Sequence, residues 1–231
     1  MLINSTRGLS VCIVLAVFSI TFRTNAGEPT LRKMPSQQMP SSATAVEAAG
    51  TGLQVLPQLV TPETAKYLGF DTASEATVAK VDTESPWKEF VVDAGELKST
   101  FLMNSVEPLL TETSNIIFPI TVNEQVKSSL TVTKTHNGWK TTAWGSPNLI
   151  RGLTRNKTSA TSFLVSIPQF NLYFVGNHNA DGKLTLTSIK AVPQFKFEKD
   201  KTLLATEVFA ILRIAMESMK PVEPGKARKP G

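Results

Sequence analysis

The sequence has 231 residues, with 24 Lys and Arg against 19 Asp and Glu, and a single cysteine, Cys12. One cysteine excludes an internal disulfide, a thiolate zinc cluster and a cysteine-ligated iron–sulfur centre. Part of the small net charge sits at Lys220, Lys226, Arg228 and Lys229 near the C-terminus and the rest of the chain is close to neutral, which argues against nucleic-acid binding, where a concentrated basic face is usual.

The chain opens with Arg7 as its only early charge, followed by an uncharged apolar run from Leu9 to Phe22 and a polar exit through Thr24-Asn25-Ala26. Basic start, short apolar core and small-residue exit are the three parts of a secretory signal. The run is shorter than the roughly 20 residues that span a bilayer. Residues 1–26 are therefore predicted to be a cleaved signal peptide, with no stable membrane span in the mature chain. Cys12 sits inside the apolar core, so the mature chain is expected to be cysteine-free. Small secreted domains of eukaryotes tend to be disulfide-rich, and a cysteine-free exported domain points to a bacterial periplasmic or secreted protein. Removing residues 1–26 takes Arg7 and Arg23 and no acid, which leaves 22 basic against 19 acidic residues.

Residues 27–60 are rich in Pro, Ser, Ala, Gln and Thr, and this composition predicts a flexible leader that cannot bury enough surface to order itself; its last part, 53–60, is the portion expected to dock. A single folded domain is predicted over 61–220, and a loose basic tail over 221–231. Thr61-Pro62-Glu63 marks a helix start, with Thr as N-cap and Pro at the first position, and Gly69 stops that helix. A weak helical stretch follows over 73–81. Strands are predicted over 87–92, 97–103 and 116–122, the last at an edge or bulge because of Pro119.

The clearest strand is 126–134. Lys127, Ser129, Thr131 and Thr133 alternate with Val126, Leu130 and Val132, which is the pattern of a sheet with one wet face. His136-Asn137-Gly138 is a hairpin signal leading to a strand over 139–144. Ser146-Pro147 opens a short helix, with Ser146 as its cap. A second meander reads as 163–167, 170–175 and 183–189, with Asp181-Gly182 as a turn, and one further strand over 192–197. The last element is a helix over 202–219. Leu204, Val208, Ile211, Leu212, Ala215 and Met219 share one face at 100° per residue, with Thr206, Arg213 and Glu217 opposite. The fold class that results is α+β: an antiparallel meandering sheet with a long C-terminal amphipathic helix packed on one face. This order of elements is similar to that of cystatin-like domains in architecture alone. The cystatin inhibitory pattern Q-x-V-x-G is not met by Gln125-Val126-Lys127-Ser128.

The chemistry-bearing residues are sparse. His136 and His178 both fall at hairpin tips. Asn177 to Gly182 imitates the first half of a calcium loop, but Lys183 and Ser188 stand where the later ligands are needed. Ser146 lacks the G-x-S-x-G setting of a nucleophile elbow. Glu84, Glu89, Asp93 and Glu96 cluster around the first strand, where alternating acids form a solvated face. The aromatic residues Trp87, Trp139, Trp144, Phe170, Tyr173, Phe174, Phe195 and Phe197 are expected to fill the core, with a binding groove as the alternative. Asn156-Lys157-Thr158 matches a glycosylation acceptor. No residue is assigned a catalytic, cofactor-binding or metal-binding role, and no cofactor is expected. The reading is an exported non-catalytic binding or accessory protein with a protein or small-molecule partner. Its alternative is an extracytoplasmic hydrolase built from dispersed polar residues.

Overall fold

The computed structural model describes residues 40–99 and 106–218. The proposed signal peptide and the tail over 221–231 lie outside the described residues.

Helix α1 (Ala45–Leu59) occupies much of the segment whose composition reads as a flexible leader. Thr44 caps it: its hydroxyl accepts from the Glu47 amide, and the Glu47 carboxylate reaches back to the Thr44 amide. This reciprocal capping box satisfies two otherwise orphan donors. Ala48, Ala49, Gly52 and Leu56, at helical spacing, form its buried face. The side chains are small, which is why the segment looks too polar to fold. The same smallness lets the helix lie close against a sheet.

A turn beginning at Thr61 leads into α2 (Ala65–Leu68). Gly69 ends it at φ +91°, where a Cβ would come within 2.2 Å of the Lys127 carbonyl oxygen, so only glycine fits. A 3₁₀ turn (Ala73–Thr77) precedes strands β1 (Lys80–Val81) and β2 (Trp87–Val92). The strand expected over 97–103 is instead helix α3 (Ala94–Ser99) in its first part, and residues 100–105 lie outside the described residues. Asp93 starts α3, its carboxylate accepting from the Gly95 amide and its carbonyl from Glu96 and Leu97. That local capping outweighs the strand-like spacing of its apolar residues.

Next come β3 (Leu110–Val122), β4 (Gln125–Thr135), β5 (Gly138–Gly145), α4 (Pro147–Arg155), β6 (Phe163–Ile167), β7 (Leu172–His178) and β8 (Leu184–Ser188). The expected strand over 192–197 reduces to a single bridge between Val192 and Phe197 around a 3₁₀ turn. Strand β9 (Thr202–Leu204) then takes the first residues of the predicted final helix, and α5 runs over Ala205–Ser218. Met219 lies outside the described residues.

All nine strands form one sheet, ordered β5-β4-β3-β2-β6-β7-β8-β9, with β1 also pairing β3. Every pair is antiparallel except β2 with β6, which are parallel and join the two antiparallel halves. The all-antiparallel meander is corrected at this one junction. The long passage through β3, β4, β5 and α4 between β2 and β6 is what a parallel neighbour requires. Pro119 is interior rather than at an edge. Its carbonyl accepts from the Asp82 amide, on the side where β1 ends and β2 has not begun. The missing proline N–H therefore falls opposite a gap in the ladder.

Alternation divides the core between two faces. On one, α1 covers Phe118, Ile120, Leu130 and Val132. Farther along, α5 contributes Ala205, Val208, Phe209 and Leu212 to a cluster with Val165, Ile167, Phe174 and Leu186. On the other face, α4 places Ile150 and Leu153 among Trp87, Ile117, Leu164 and Val175. Val126 was expected beside Leu130 and Val132, yet packs with the α4 cluster. A register shift leaves Lys127 unpaired between Ser128 and Val126, and one extra residue turns everything before it to the opposite face.

Candidate functional site

The bulge in β3 organises both faces of the sheet's centre. Lys88 pairs with Ile116 and Phe90 with Glu112, so the single residue Glu89 faces three, Thr113 to Asn115. Bulges of this kind re-aim side chains and recur beside functional sites.

On the α4 face the bulge supplies a polar row. The Glu89 carboxylate accepts from Asn115 Nδ2 at 2.9 Å, Ser166 Oγ at 3.0 Å and Thr113 Oγ1 at 3.4 Å. Thr133 Oγ1 donates to Asn115 Oδ1 at 2.8 Å, so toward Thr142, at 2.8 Å, it acts as acceptor. The chain Ser166–Glu89–Asn115–Thr133–Thr142 thus crosses β6, β2, β3, β4 and β5. Glu89 uses three of its roughly four acceptor positions on the protein itself. It is a fixed staple across the parallel junction. Its three donor partners are hydroxyls and an amide, none of them a base.

On the opposite face the same bulge borders a groove of about 340 Å³. Its walls include Lys88, Glu112, Ser114, Ile116, Lys134 and Trp139. By alternation it opens between the part of the face covered by α1 and the part covered by α5. Lys88 Nζ is paired with Glu112 Oε1 at 3.0 Å. Lys134 Nζ lies 5.9 Å from the centre of the Trp139 ring. Such a cation–π contact at an exposed site contributes about 0.5–1 kcal/mol, weak enough to be exchanged for a ligand. Two lysines against one glutamate leave the lining one positive charge in excess. The lining sets two apolar side chains, Ile116 and Trp139, among polar and charged ones, and the volume lies near the lower end of the roughly 300–1,000 Å³ of small-ligand sites.

The residues singled out from the sequence are dispersed. His136 is exposed in the β4–β5 turn and His178 is exposed at the end of β7. Strand β4 runs parallel to β2 and β6, and β7 runs against them, so the two histidines sit at opposite ends of the sheet. Four interstrand steps, about 19 Å at roughly 4.8 Å each, also separate their strands. Among the described residues no group of three His, Cys, Asp or Glu could hold a metal ion. The calcium-like segment uses its oxygens internally. Asn177 Oδ1 accepts from Ser162 Oγ at 2.5 Å, and Asn179 Oδ1 accepts from the amides of Asp181 and Lys183.

Ser146 occupies the N-cap position of α4 at φ +60° without a side-chain capping bond, which corrects its expected capping role. In the left-handed region its hydroxyl is not directed at the first helical amides. Asn156 closes α4, its amide nitrogen donating to the Gly152 carbonyl and to Asp200 Oδ1. That is the atom a glycan would occupy. Glu84 and Asp93 serve the local chain: the Glu84 amide binds Asp82, and Asp93 starts α3. Of the aromatics, Trp87, Trp144, Phe174, Phe195 and Phe197 are buried in the core, and Trp139 lines the groove.

The clear pKa displacements lie away from the groove. Asp71 is lowered by its bond to Lys127, and Lys127 is raised by the same contact. Asp200 is lowered, chiefly by its hydrogen bond from Arg155. Glu63 is lowered by the Thr61 hydroxyl. Asp71–Lys127 ties a loop to β4, Arg155–Asp200 ties α4 to the loop before β9, and Thr61–Glu63 lies within one turn. Among the described residues no helix is long and apolar enough to cross a membrane. No family model matches the chain, and no curated protein or solved structure matches it either, so the cystatin-like likeness gains no support.

Proposed function

We propose that this chain is an exported, non-catalytic binding or accessory protein that holds a small polar ligand in the groove beside Trp139. The observation that carries the reading is the groove itself. It joins an aromatic wall to an unpaired-register bulge and to a lysine that, among the described residues, makes a weak ring contact and no ion pair. A hydrolase would need an activated nucleophile or a second acid beside Glu89. Instead that carboxylate is engaged by Thr113, Asn115 and Ser166.

Export rests on Arg7, the apolar run Leu9 to Phe22 and the Thr24-Asn25-Ala26 exit. The periplasm or the medium of a bacterium is the proposed location. Intact mass of protein recovered from either compartment should place the mature N-terminus at Gly27 or within two residues of it. A full-length species retained in the membrane would defeat the export proposal.

Ligand binding is tested by thermal unfolding of the purified protein against a library of small polar molecules, because a ligand held only by the native state raises the midpoint. Hits should stabilise the wild type and leave Trp139→Ala unmoved. Hits that stabilise both proteins equally, or that are chemically converted on incubation, would defeat the binding reading.

A further inference from the structure

Resting on the groove as the binding site, we infer that its ligand is an acidic sugar: a pyranose ring bearing a carboxylate, as in the uronic-acid units of an acidic polysaccharide. Lys88 is neutralised by Glu112 at 3.0 Å, whereas Lys134 makes no ion pair among the described residues and rests 5.9 Å from the Trp139 ring centre. One ammonium is therefore free to meet an anion at the rim of an aromatic wall. A phosphate is usually met by arginine forks or by the amides at a helix N-terminus. The lining holds no arginine, and the N-terminus of α1 is already closed by Glu47. A single ammonium is a point charge that balances one negative charge, and a carboxylate carries one where a phosphate monoester carries nearly two.

The ring follows from the remaining walls. Trp139 and Ile116 offer an apolar surface for one flat face of a ring. The same lining includes the Glu112 carboxylate and the Ser114 hydroxyl, and the bulge leaves Ser114 without a register partner on β2, whereas Thr113 is held by Glu89. A flat aromatic acid would cover these polar groups and leave them unsatisfied, which is costly. A sugar ring brings hydroxyls to them. One hydrophobic face, several hydroxyls and one carboxylate are the three features the groove can use together.

The test is titration of the ¹⁵N-labelled full protein with trigalacturonate and, in parallel, with the neutral galactotriose. The Trp139 indole N–H signal provides the readout. Its two fellow tryptophans, Trp87 and Trp144, are buried and serve as internal controls. Trigalacturonate is expected to shift the Trp139 signal and to bind at least tenfold more tightly than galactotriose. Lys134→Ala should abolish that ratio, Lys134→Arg should retain it, and Trp139→Ala should weaken both sugars. Lys134 is exposed, so its variants keep the fold, which matching unfolding midpoints would verify. Equal binding of the two sugars, or a ratio unchanged in Lys134→Ala, overturns the acidic-sugar inference while the groove remains a binding site. A Trp139 signal unmoved by either sugar also overturns it, and the ligand library then decides separately whether the groove binds anything. Saturable shifts that map away from Trp139 and Lys134 overturn both readings.

Discussion

Leu56 tests whether the N-terminal segment belongs to the folded domain. Position 56 falls in the stretch 53–60 expected to dock, and a segment outside the cooperative core would tolerate substitution there. In the structure Leu56 has no exposed surface and packs in the cluster that includes Phe118, Ile120, Leu130 and Val132. Truncating a fully buried leucine costs about 2–5 kcal/mol, through lost transfer energy and the cavity left behind. Against a total stability of roughly 5–15 kcal/mol, that is a third of the fold or more at mid-range. The neighbouring contacts leave little room for collapse. Thr141 Oγ1 donates to the Ala48 carbonyl at 2.6 Å, and Trp144 Nε1 donates to the Gly52 carbonyl at 2.9 Å. A Cβ on Gly52 would lie 2.4 Å from Thr141 Oγ1, so the helix is already seated as closely as its backbone allows. Urea unfolding of Leu56→Ala, with exposed Gln54→Ala as its control, should show a midpoint lowered in proportion and the control unchanged. A chain beginning at Thr61 should fail to reach the native fluorescence of Trp144, whose indole N–H would lose its partner. If Leu56→Ala unfolds at the same urea concentration as Gln54→Ala, α1 is not part of the cooperative core and the docking argument fails.

Three further outcomes follow from other parts of the sheet. Glu89→Ala leaves the amide of Asn115 and the hydroxyl of Ser166 without their shared acceptor, and should destabilise by about 1–3 kcal/mol in urea unfolding; Glu84→Ala, in an exposed turn, should change little. Thr44→Ala removes the cap of α1 and should cost about 0.5–2 kcal/mol, read as a lowered unfolding midpoint with an unchanged slope. Asp200 has a carboxyl lowered by Arg155 and Asn156. A depressed folded pKa stabilises above the unfolded value and loses that stability as pH falls through the folded value. Asp200→Asn should therefore narrow its stability gap to wild type below about pH 4 and show the full gap at pH 7. A gap independent of pH would mean that the Arg155 contact carries no electrostatic weight.

The parts of the fold legible in the sequence are those written in side-chain period. Strands β2 and β6 show in their runs of β-branched and aromatic residues, which are buried on both faces, the β4–β5 hairpin shows in His136-Asn137-Gly138, and a C-terminal helix shows in its apolar spacing. The two missed helices are short of such side chains. Both nevertheless carried a capping pattern, Thr44-x-x-Glu47 and Asp93-x-x-Glu96, in which an oxygen-bearing residue is followed three positions later by an acid. Capping chemistry was the available signal, and apolar content drowned it out.

The bulges were not legible at all. Nothing in the identity of Lys127 says that it stands outside the ladder, yet its presence turns Val126 to the opposite face. Nothing local to Glu89 says that three residues of β3 will face it. Register is a property of two strands far apart in sequence, 26 residues in the case of Glu89 and Asn115. The same holds for the groove. Trp139 reads as one more core aromatic in a β-rich run, and only the pairing of β5 with β4 brings Lys134 over its ring. A site that joins Glu112, Ser114 and Ile116 of β3 to single residues of β2, β4 and β5 leaves no motif, since the spacing between strands is set by pairing and not by the chain. Its chemistry follows from the cross-strand register, so shifting that register should destroy it while Trp139 and Lys134 keep their own hairpin pairing. Deleting Ser114 would shorten the bulge, move Glu112 and Lys88 out of step, and abolish ligand-induced shifts at Trp139 in a protein that still folds. Retention of those shifts after the deletion would show that the groove does not depend on the bulge.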